Sequence, residues 1–234
     1  MTRLDADTVR RTPAYPFSEA AHYLRLPVST LRAWCVGQDY QYKGHPKRYQ
    51  KVIQLDGTTH EGLSFLNLVE AHVLSALRRL HSISLPKIRN ALKIIREEMG
   101  VERPLADAKF ATIGLQLYVE HALGLLDVSK RQYEFQGIVD AYLRRVERSP
   151  AGVPIKLYPF TRKNVLTDTE SPVVIDPTVQ FGRPVLVGTR VPTAVLADRF
   201  KAGDRLEELA NDYNTSSQAI EEAIRCELDR SEAA

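Results

Sequence analysis

The chain has 234 residues, of which 44% are apolar and 26% are charged, and its formal net charge is +3. This composition is typical of a soluble globular protein, and the length suffices for one large domain or two small ones. No apolar run approaches the roughly 20 residues that a membrane-spanning helix needs, and the polar N-terminal stretch lacks the apolar core of a signal peptide. The two cysteines, Cys35 and Cys226, are too few for a disulfide framework or a structural zinc site. We therefore expect a cytoplasmic protein without a membrane segment, whose two thiols pack in the interior.

Positive charge is concentrated in the N-terminal part of the chain. Residues 1–100 contain 15 Lys and Arg against 9 Asp and Glu, whereas residues 150–234 contain 10 against 13. A polyanion would therefore dock on the N-terminal part and be repelled by the C-terminal third.

The first regular pattern is a pair of short helices. Residues 1–14 show no periodicity and are predicted to be a flexible arm. Ser18 is the expected N-cap of a helix that ends at Leu24, and Ser29 the expected N-cap of a second helix. A tight turn that contains Pro27 joins them, which is the helix-turn-helix pattern. The residues spaced to form its small core are Ala21, Leu24, Val28, Leu31 and Trp34.

A basic hairpin follows this helix pair. Residues 38–55 alternate tyrosines with basic residues around a Gly44-His45-Pro46 turn, which predicts a β-hairpin wing. Between Arg25 and Lys51 there are six Lys or Arg and a single acid. That density suits phosphate contacts, although a merely solvated hairpin is the alternative. We expect Ser29, Thr30 and Arg32 to face the major groove. The full set of predicted DNA-binding residues is Arg25, Ser29, Thr30, Arg32, Lys43, His45, Lys47, Arg48 and Lys51.

Two longer helices follow the hairpin. The apolar pattern of residues 63–80 predicts one, and a second begins near Ser84 and stops at Gly100. The apolar stripe of the second helix could pack within the domain or against a second subunit. The run AAHYLRLPVSTLRAW, the basic hairpin and LSFLNLVEAHVLSALR together resemble the winged helix-turn-helix of MerR-type regulators over residues 15–100. That resemblance implies DNA binding by a dimer.

The middle of the chain predicts an α+β bridging region over residues 101–160. Residues 109–119 and 153–160 alternate like half-buried strands and could pair, while residues 138–149 have the apolar face of a helix. Residues 161–171 are polar and are predicted to be a connection.

Residues 172–234 predict a small C-terminal domain that consists of a β-hairpin and three amphipathic helices. Capping boxes are expected at Asp204 with Glu207 and at Thr215 with Gln218. The last two helices resemble a second helix-turn-helix, but residues 199–234 contain nine acids and five basic residues. The glutamates expected on exposed faces are Glu207, Glu208, Glu221, Glu222 and Glu227.

Such acidic helices suit a protein partner or a self-interface better than phosphates. The predicted partner-binding residues are Arg183, Thr189, Arg190, Glu207 and Glu208. The alternative role for Arg190 is an ion pair with Asp176 within the chain.

The pattern from Asp176 to Ile220 closely resembles the bacterial family named domain of unknown function 433. The matching residues are Asp176, Pro177, Gly182, Pro184, Gly188, Thr189, Arg190, Gly203, Leu209, Tyr213 and Ile220. Members commonly serve as antitoxins, often against PIN-like ribonuclease toxins. A MerR-like domain joined to this one resembles a VapB-type antitoxin. The resemblance therefore implies an antitoxin that neutralises such a toxin and represses its own operon.

Nothing in the sequence predicts catalysis. The six histidines show no metal-binding spacing on a helix, and no Gly-rich phosphate loop follows a strand. We expect no enzyme activity, no metal and no cofactor. The predicted fold is mainly α with small β elements, in the α+β class. The expected function is that of a homodimeric antitoxin that binds operator DNA. A stand-alone regulator with a C-terminal dimerisation or ligand-binding module, or an adaptor that never meets DNA, are the alternatives.

Overall fold

A computed structural model describes residues 5–79, 84–107, 140–159 and 172–228. Its named helices are α1 (Ala6–Arg11), α2 (Phe17–Leu24), α3 (Val28–Cys35), α4 (Phe65–Arg79), α5 (Leu85–Met99), α6 (Thr193–Lys201), α7 (Leu206–Asp212) and α8 (Ser217–Leu228). Residues 140–144 are also helical.

The strands of the described residues form four two-stranded antiparallel sheets, which pair β1 with β4, β2 with β3, β5 with β6, and β7 with β8. The strands are β1 (Pro13–Tyr15), β2 (Gln38–Tyr42), β3 (His45–Tyr49), β4 (Leu63–Ser64), β5 (Val146–Arg148), β6 (Pro154–Leu157), β7 (Val173–Val174) and β8 (Val185–Leu186). The predicted α+β class is confirmed.

The larger core surrounds α4, whose Leu68, Val69, Leu74 and Leu77 are fully buried. The side chains predicted to form the helix-turn-helix core join it: Ala21, Leu24, Leu31 and Trp34 are buried, and Val28 packs against them. Cys35 belongs to the same core, and both cysteines are buried free thiols, as predicted.

The predicted flexible arm is wrong for its described part, because residues 6–15 form α1 and β1. Pro13 and Tyr15 of β1 pair with β4, and the Tyr15 side chain is only 2% exposed. The guanidinium of Arg11 lies 3.2 Å from Asp7 and 3.7 Å from Asp56. These contacts hold a segment that shows no apolar periodicity of its own.

Both predicted N-caps of the helix-turn-helix are displaced by the prolines before them. Helix α2 begins one residue before Ser18, after Pro16, and α3 begins one residue before Ser29, after Pro27. The carbonyl oxygens of Pro16 and Pro27 accept the first backbone bonds of the two helices, at 2.9 and 3.1 Å. An N-cap residue is defined by that carbonyl bond, and neither proline needs a side-chain cap to make it.

The predicted helix over residues 138–149 ends earlier than expected, and Val146–Arg148 forms a strand instead. Val146 pairs with Leu157, while Glu147 accepts from Lys156 Nζ at 2.9 Å and from Tyr158 Oη at 2.7 Å. Cross-strand pairs therefore override the helical periodicity here. Strand β6 confirms the predicted strand at 153–160, whereas the predicted strand at 109–119 and connection at 161–171 lie outside the described residues.

The C-terminal domain has its own core, formed by Val173, Leu186 and the buried faces of α6, α7 and α8. It joins the first core through Ile175, whose backbone exchanges two hydrogen bonds with Leu157 at 2.8 and 3.0 Å.

The first predicted capping box of this domain is shifted by one residue, and at the second site a single cap bond is seen one residue later. Arg205 is the N-cap of α7, and its backbone N–H donates to Glu208 at 3.0 Å. The hydroxyl of Ser216 accepts from the backbone of Ala219 at the start of α8, at 3.1 Å. Asp204 is not available as a cap because its carboxylate binds Arg199 at 2.6 Å.

Candidate nucleic-acid interface

The turn between α2 and α3 is held by backbone bonds. Arg25 adopts a left-handed conformation with φ of 52°, and its N–H donates to His22 at 3.1 Å while Leu26 donates to Ala21 at 2.9 Å. This is the geometry of a helix C-terminus that stops abruptly. It directs the chain into α3, whose inner face buries Leu31 and Trp34 and whose Ser29 and Arg32 are exposed.

Arg32 is oriented by an aromatic ring. Its guanidinium carbon lies 4.8 Å from the centroid of the Phe17 ring at the start of α2. A cation over a ring gains roughly 0.5–1 kcal/mol at an exposed site. The contact fixes the direction of Arg32 while leaving its charge at the surface.

The wing formed by β2 and β3 has two different faces. The rings of Tyr40 and Tyr49 stack at 4.2 Å on one face, where Lys47 is paired opposite Tyr40. On the other face, Arg48 donates to Asp39 and to the carbonyl oxygen of Val36, both at 3.2 Å. Arg48 therefore braces the base of the wing in addition to any phosphate contact.

The wing tip is a tight two-residue turn. Lys43 has φ of 52° and Gly44 has φ of 79°, and His45 follows as the first residue of β3. Two successive positive φ values are the signature of the turn that best matches hairpin twist. Lys43, His45 and Lys47 are all exposed on this arm.

The wing and α3 are fixed to one scaffold. The carbonyl oxygen of Trp34 accepts from Val52 at 2.7 Å and from Ile53 at 3.0 Å, and Arg89 of α5 donates to Gln50 at 3.1 Å. The structure therefore brings eight of the nine predicted DNA-binding residues onto one helix-turn-helix and its wing. Thr30 is half-buried, and Lys51 lies just beyond the wing at the rim of a cleft.

Sequence reasoning missed a buried polar network behind this surface. Arg103 donates to Glu70 at 2.9 Å and also binds Asp56. The amide of Asn67 donates to Glu70 at 3.0 Å and to the carbonyl oxygen of Gln54 at 2.8 Å. Burial raises the pKa of the Glu70 carboxyl to about 7, and the charge of Arg103 only partly offsets this. The signal in the sequence was an Asn and a Glu three residues apart on the apolar face of α4.

The cleft beside this network has a volume of about 710 Å³. Arg11, Arg96 and Arg103 line it together with Asp56 and Glu102. Arg96 donates to the carbonyl oxygen of Glu102 at 3.3 Å, and Arg11 lies 3.8 Å from the Glu102 carboxylate. The positive and negative charges of these side chains compensate one another. Within the described residues, the cleft is therefore lined by a structural network of ion pairs.

The predicted partner-binding residues fall in two places. Arg183, Thr189 and Arg190 flank β8, whereas Glu207 and Glu208 lie on α7. The Thr189 hydroxyl donates to Leu186 at 2.8 Å and accepts from Val191 at 3.0 Å, so it shapes the turn. No ion pair between Arg190 and Asp176 forms within the described residues; Asp176 accepts instead from Thr178 at 2.7 and 2.8 Å.

Two glutamates predicted to be exposed are buried. Glu222 is 2% exposed and Glu227 is 7% exposed, and the hydroxyl of Thr193 donates to Glu227 at 2.5 Å. Glu227 shares the apolar face of α8 with Ile220 and Ala223, and from this face its carboxylate reaches Thr193 of α6. The acidic surface of the C-terminal domain is therefore smaller than the charge count indicated.

Two further observations concern the described residues as a set. No helix in the ranges that the structure describes is long and apolar enough to cross a membrane. Among the same residues, His, Cys, Asp and Glu side chains form no group of three that could hold a metal ion.

Comparison with known proteins matches both ends of the chain to family models. Residues 13–92 match the model described as "Putative DNA-binding HTH domain". Residues 173–225 match the model described as "Protein of unknown function (DUF433)". The two resemblances that the sequence predicted are thereby confirmed.

Curated relatives and a solved structure extend the likeness over most of the chain. The chain is 26% identical over 231 residues to "Putative antitoxin VapB45" of Mycobacterium tuberculosis (strain ATCC 25618 / H37Rv), which covers 91% of this chain and 92% of the relative. It is 23% identical over 219 residues to "Uncharacterized protein Rv2308" of the same organism, with 90% and 88% covered.

The crystal structure of Rv2018 from Mycobacterium tuberculosis superimposes with a TM-score of 0.66 at 22% identity, covering 91% of this chain and 97% of that one. At this identity the likeness shows a shared fold. The chain is therefore a protein that joins an N-terminal domain matching the "Putative DNA-binding HTH domain" model to a C-terminal domain matching the DUF433 model.

Proposed function

We propose that the chain acts in the cytoplasm as the antitoxin of a type II toxin–antitoxin system. In this proposal it neutralises a PIN-like ribonuclease toxin and binds operator DNA as a homodimer to repress its own operon. The observation that carries the proposal is the union, in one chain, of a basic winged helix-turn-helix with the DUF433 domain. The similarity to "Putative antitoxin VapB45" extends over both domains and supports it.

The DNA-binding half of the proposal rests on the geometry of α3 and the wing. Ser29 and Arg32 are exposed on the outer face of α3, so this helix can enter the major groove. Lys43, Lys47 and Arg48 of the wing then lie beside it, where they can contact phosphates. Two copies related by a two-fold axis would read half-sites separated by whole helical turns.

The toxin-binding half requires no chemistry from this chain. A metal-dependent nuclease is inhibited when its acidic site or substrate groove is covered, so binding alone suffices. The C-terminal domain is the part of the chain that we assign to this contact. The exposed arginines of its hairpin and its three short helices support this assignment.

The DNA-binding half is tested by affinity measurements over a salt series. Lys47→Ala should weaken binding to operator and random duplexes alike and reduce the slope of log K against log salt by about one. Arg48 is not chosen because it braces the wing through Asp39 and Val36. Lys201→Ala, at an exposed lysine of the C-terminal domain, is the matched control and should change neither quantity.

Failure of the full-length chain to bind any duplex at low salt would contradict this half. If Lys201→Ala had the same effect as Lys47→Ala, the basic wing would not be the contact.

The antitoxin half is tested by expression of the neighbouring gene alone and together with this chain. We expect its product to be toxic alone, harmless with this chain, and co-purified with it. If the product of the neighbouring gene is harmless when expressed alone, or does not co-purify with this chain, the antitoxin hypothesis is contradicted. A stand-alone regulator would then be favoured.

A further inference from the structure

Phe181 occupies an unusual position for a phenylalanine. Its side chain is 91% exposed, the largest exposed fraction among the exposed large apolar residues of the described chain. Its backbone is left-handed, with φ of 56°, and the preceding Gln180 has φ of 49°. A bulky residue in this region is an outlier that persists only where the surrounding structure enforces it. An exposed ring held on a strained turn points to a purpose outside the folding of the chain.

The turn that carries Phe181 is fixed on both sides. The side-chain amide of Gln180 donates to the carbonyl oxygen of Arg190 at 3.1 Å, which ties the turn to the hairpin loop after β8. Gly182 packs on the Tyr15 hydroxyl so closely that a Cβ atom there would lie 2.2 Å from it. Phe181 is thus presented between two anchored neighbours, and little ordering entropy remains to be lost when a partner binds.

Arg183 and Arg190 accompany the ring. Both are exposed, and within the described residues neither guanidinium has an ion-pair partner. Two other arginines of the same domain are paired: Arg199 binds Asp204 and Asp212, and Arg225 binds Glu221. Val187, 42% exposed, lies in the same loop as Arg190 and adds apolar area.

We propose that Phe181, Arg183 and Arg190 form a docking surface for an acidic protein partner. Phe181 is the anchor that enters an apolar pocket of the partner, and the two arginines pair with carboxylates at the rim of that pocket. Aromatic and arginine side chains carry most of the binding energy in such interfaces. The inference rests on the proposed function, because it identifies the surface through which the chain meets its toxin.

A second copy of the chain fits this surface less well. In a two-fold dimer the patch would face itself and bring four unpaired guanidinium groups together. Duplex DNA also fits less well, because α7 of the same domain exposes Glu207 and Glu208, and carboxylates repel phosphates. An acidic protein surface satisfies both the ring and the arginines.

The test uses the full-length chain and the purified product of the neighbouring gene, with affinity measured by calorimetry. Phe181→Ala should weaken binding at least about 30-fold, as expected for a central hot spot. Arg190→Glu should weaken it by a comparable factor and make the affinity less sensitive to salt. Phe200→Ala removes another exposed phenylalanine of the same domain, 39% exposed, and should leave the affinity within about 2-fold of wild type.

Circular dichroism melts confirm that each variant is folded, and Phe181→Leu provides a second variant that keeps apolar area.

If the wild-type chain does not bind the neighbouring product, the proposed function itself fails, and the inference fails with it. If the wild-type chain binds and Phe181→Ala binds equally well, only the inference fails. A Phe181→Ala chain with an altered mass in light scattering would make the patch a self-interface and overturn the inference. Weakened operator binding by Arg190→Glu would make it a nucleic-acid contact, with the same consequence.

Discussion

At the scale of single residues, the fold changes the protonation of Glu70 most clearly. The carboxyl group lies on the buried face of α4, where burial raises its pKa from 4.5 to about 7 despite the nearby Arg103. Between these two values the native protein holds a proton that the unfolded chain has released. A state that binds more protons is favoured at lower pH. This carboxyl therefore makes the protein less stable as the pH rises from about 4.5 to about 7, and its contribution is constant above that window.

Glu70→Gln should remove this dependence. The glutamine oxygen can still accept from Asn67 and Arg103, which now bind the carboxylate at 3.0 and 2.9 Å. Across the window, the difference in unfolding free energy between variant and wild type should change by roughly 3 kcal/mol in favour of the variant as the pH rises. Urea titrations at several pH values measure it, with the exposed Glu97→Gln as control. Parallel pH profiles for wild type and Glu70→Gln would show that Glu70 titrates normally.

The residues that sequence analysis identified correctly are those whose role is local. The helix-turn-helix core from Ala21 to Trp34 follows from helical spacing alone, since its members lie within 14 residues of each other. The pairing of Glu70 with Arg103 joins residues 33 apart, and no periodicity signals such a contact. The left-handed Phe181 was equally hidden, because phenylalanine carries no preference for that conformation.

At the scale of secondary-structure elements, Arg199 holds α6 and α7 together. It donates to Asp204 at 2.6 Å, to Asp212 at 2.7 Å and to the hydroxyl of Tyr213 at 3.2 Å, and its guanidinium lies over the Tyr213 ring at 5.5 Å. The hydrogen bonds to Tyr213, Asp212 and Asp204 raise the pKa of Arg199, so it stays charged. Three acceptors on one planar guanidinium form a network that an isolated surface pair does not.

Arg199→Met should therefore lower the melting temperature by several degrees, whereas Lys201→Met should have little effect. Lys201 pairs with Asp198 one helical turn away at 3.6 Å, and exposed pairs of this kind contribute little. Differential scanning calorimetry compares the two. Equal melting temperatures for the two variants would mean that the Arg199 network is no stronger than a surface pair.

The sequence predicted which helices and strands exist more reliably than it predicted the residues at which they begin and end. Periodicity located α4 and α5 because that signal is repeated over many residues, whereas the wing turns at Lys43 and Gly44 and not at the predicted Gly44-His45-Pro46. The predicted N-caps of α2 and α3 were off by two residues, since Pro16 and Pro27 can supply the first carbonyl as well as a serine can. The sequence predicts helix at β5, and this prediction is wrong because the pairing of β5 with β6 is a tertiary contact that overrides propensity.

At the scale of the whole molecule, contacts among the described residues join the C-terminal domain to the rest of the chain. Ile175 pairs with Leu157, and Gly182 packs on Tyr15 of β1. The Tyr15 hydroxyl is buried and has no hydrogen-bond partner within the described residues, and burial raises its pKa. This contact also fixes the turn that presents Phe181, so the position of the partner surface depends on the N-terminal domain. No sequence motif in either domain predicts the contact between Gly182 and Tyr15, because these residues are more than 160 positions apart.

A glycine pair isolates the energy of this domain contact. Gly182 has φ of 79° and Gly188 has φ of 77°, but a Cβ atom at Gly188 would meet nothing within 4 Å. Both Ala substitutions carry the backbone cost of a left-handed alanine, about 1–2 kcal/mol. Gly182→Ala should cost a further 1–3 kcal/mol or so, because the new methyl group collides with the Tyr15 hydroxyl.

Tyr15→Phe should recover part of that additional cost. The missing hydroxyl makes room for the methyl group, and its loss alone removes no hydrogen bond within the described residues. Urea unfolding of Gly182→Ala, Tyr15→Phe and the double variant gives the coupling energy directly, with Gly188→Ala as the reference for the backbone cost. Additive effects, or equal destabilisation by Gly182→Ala and Gly188→Ala, would show that the two domains are not held together at this point. A large coupling would also predict that Gly182→Ala weakens partner binding, since the turn that carries Phe181 would be displaced with the glycine.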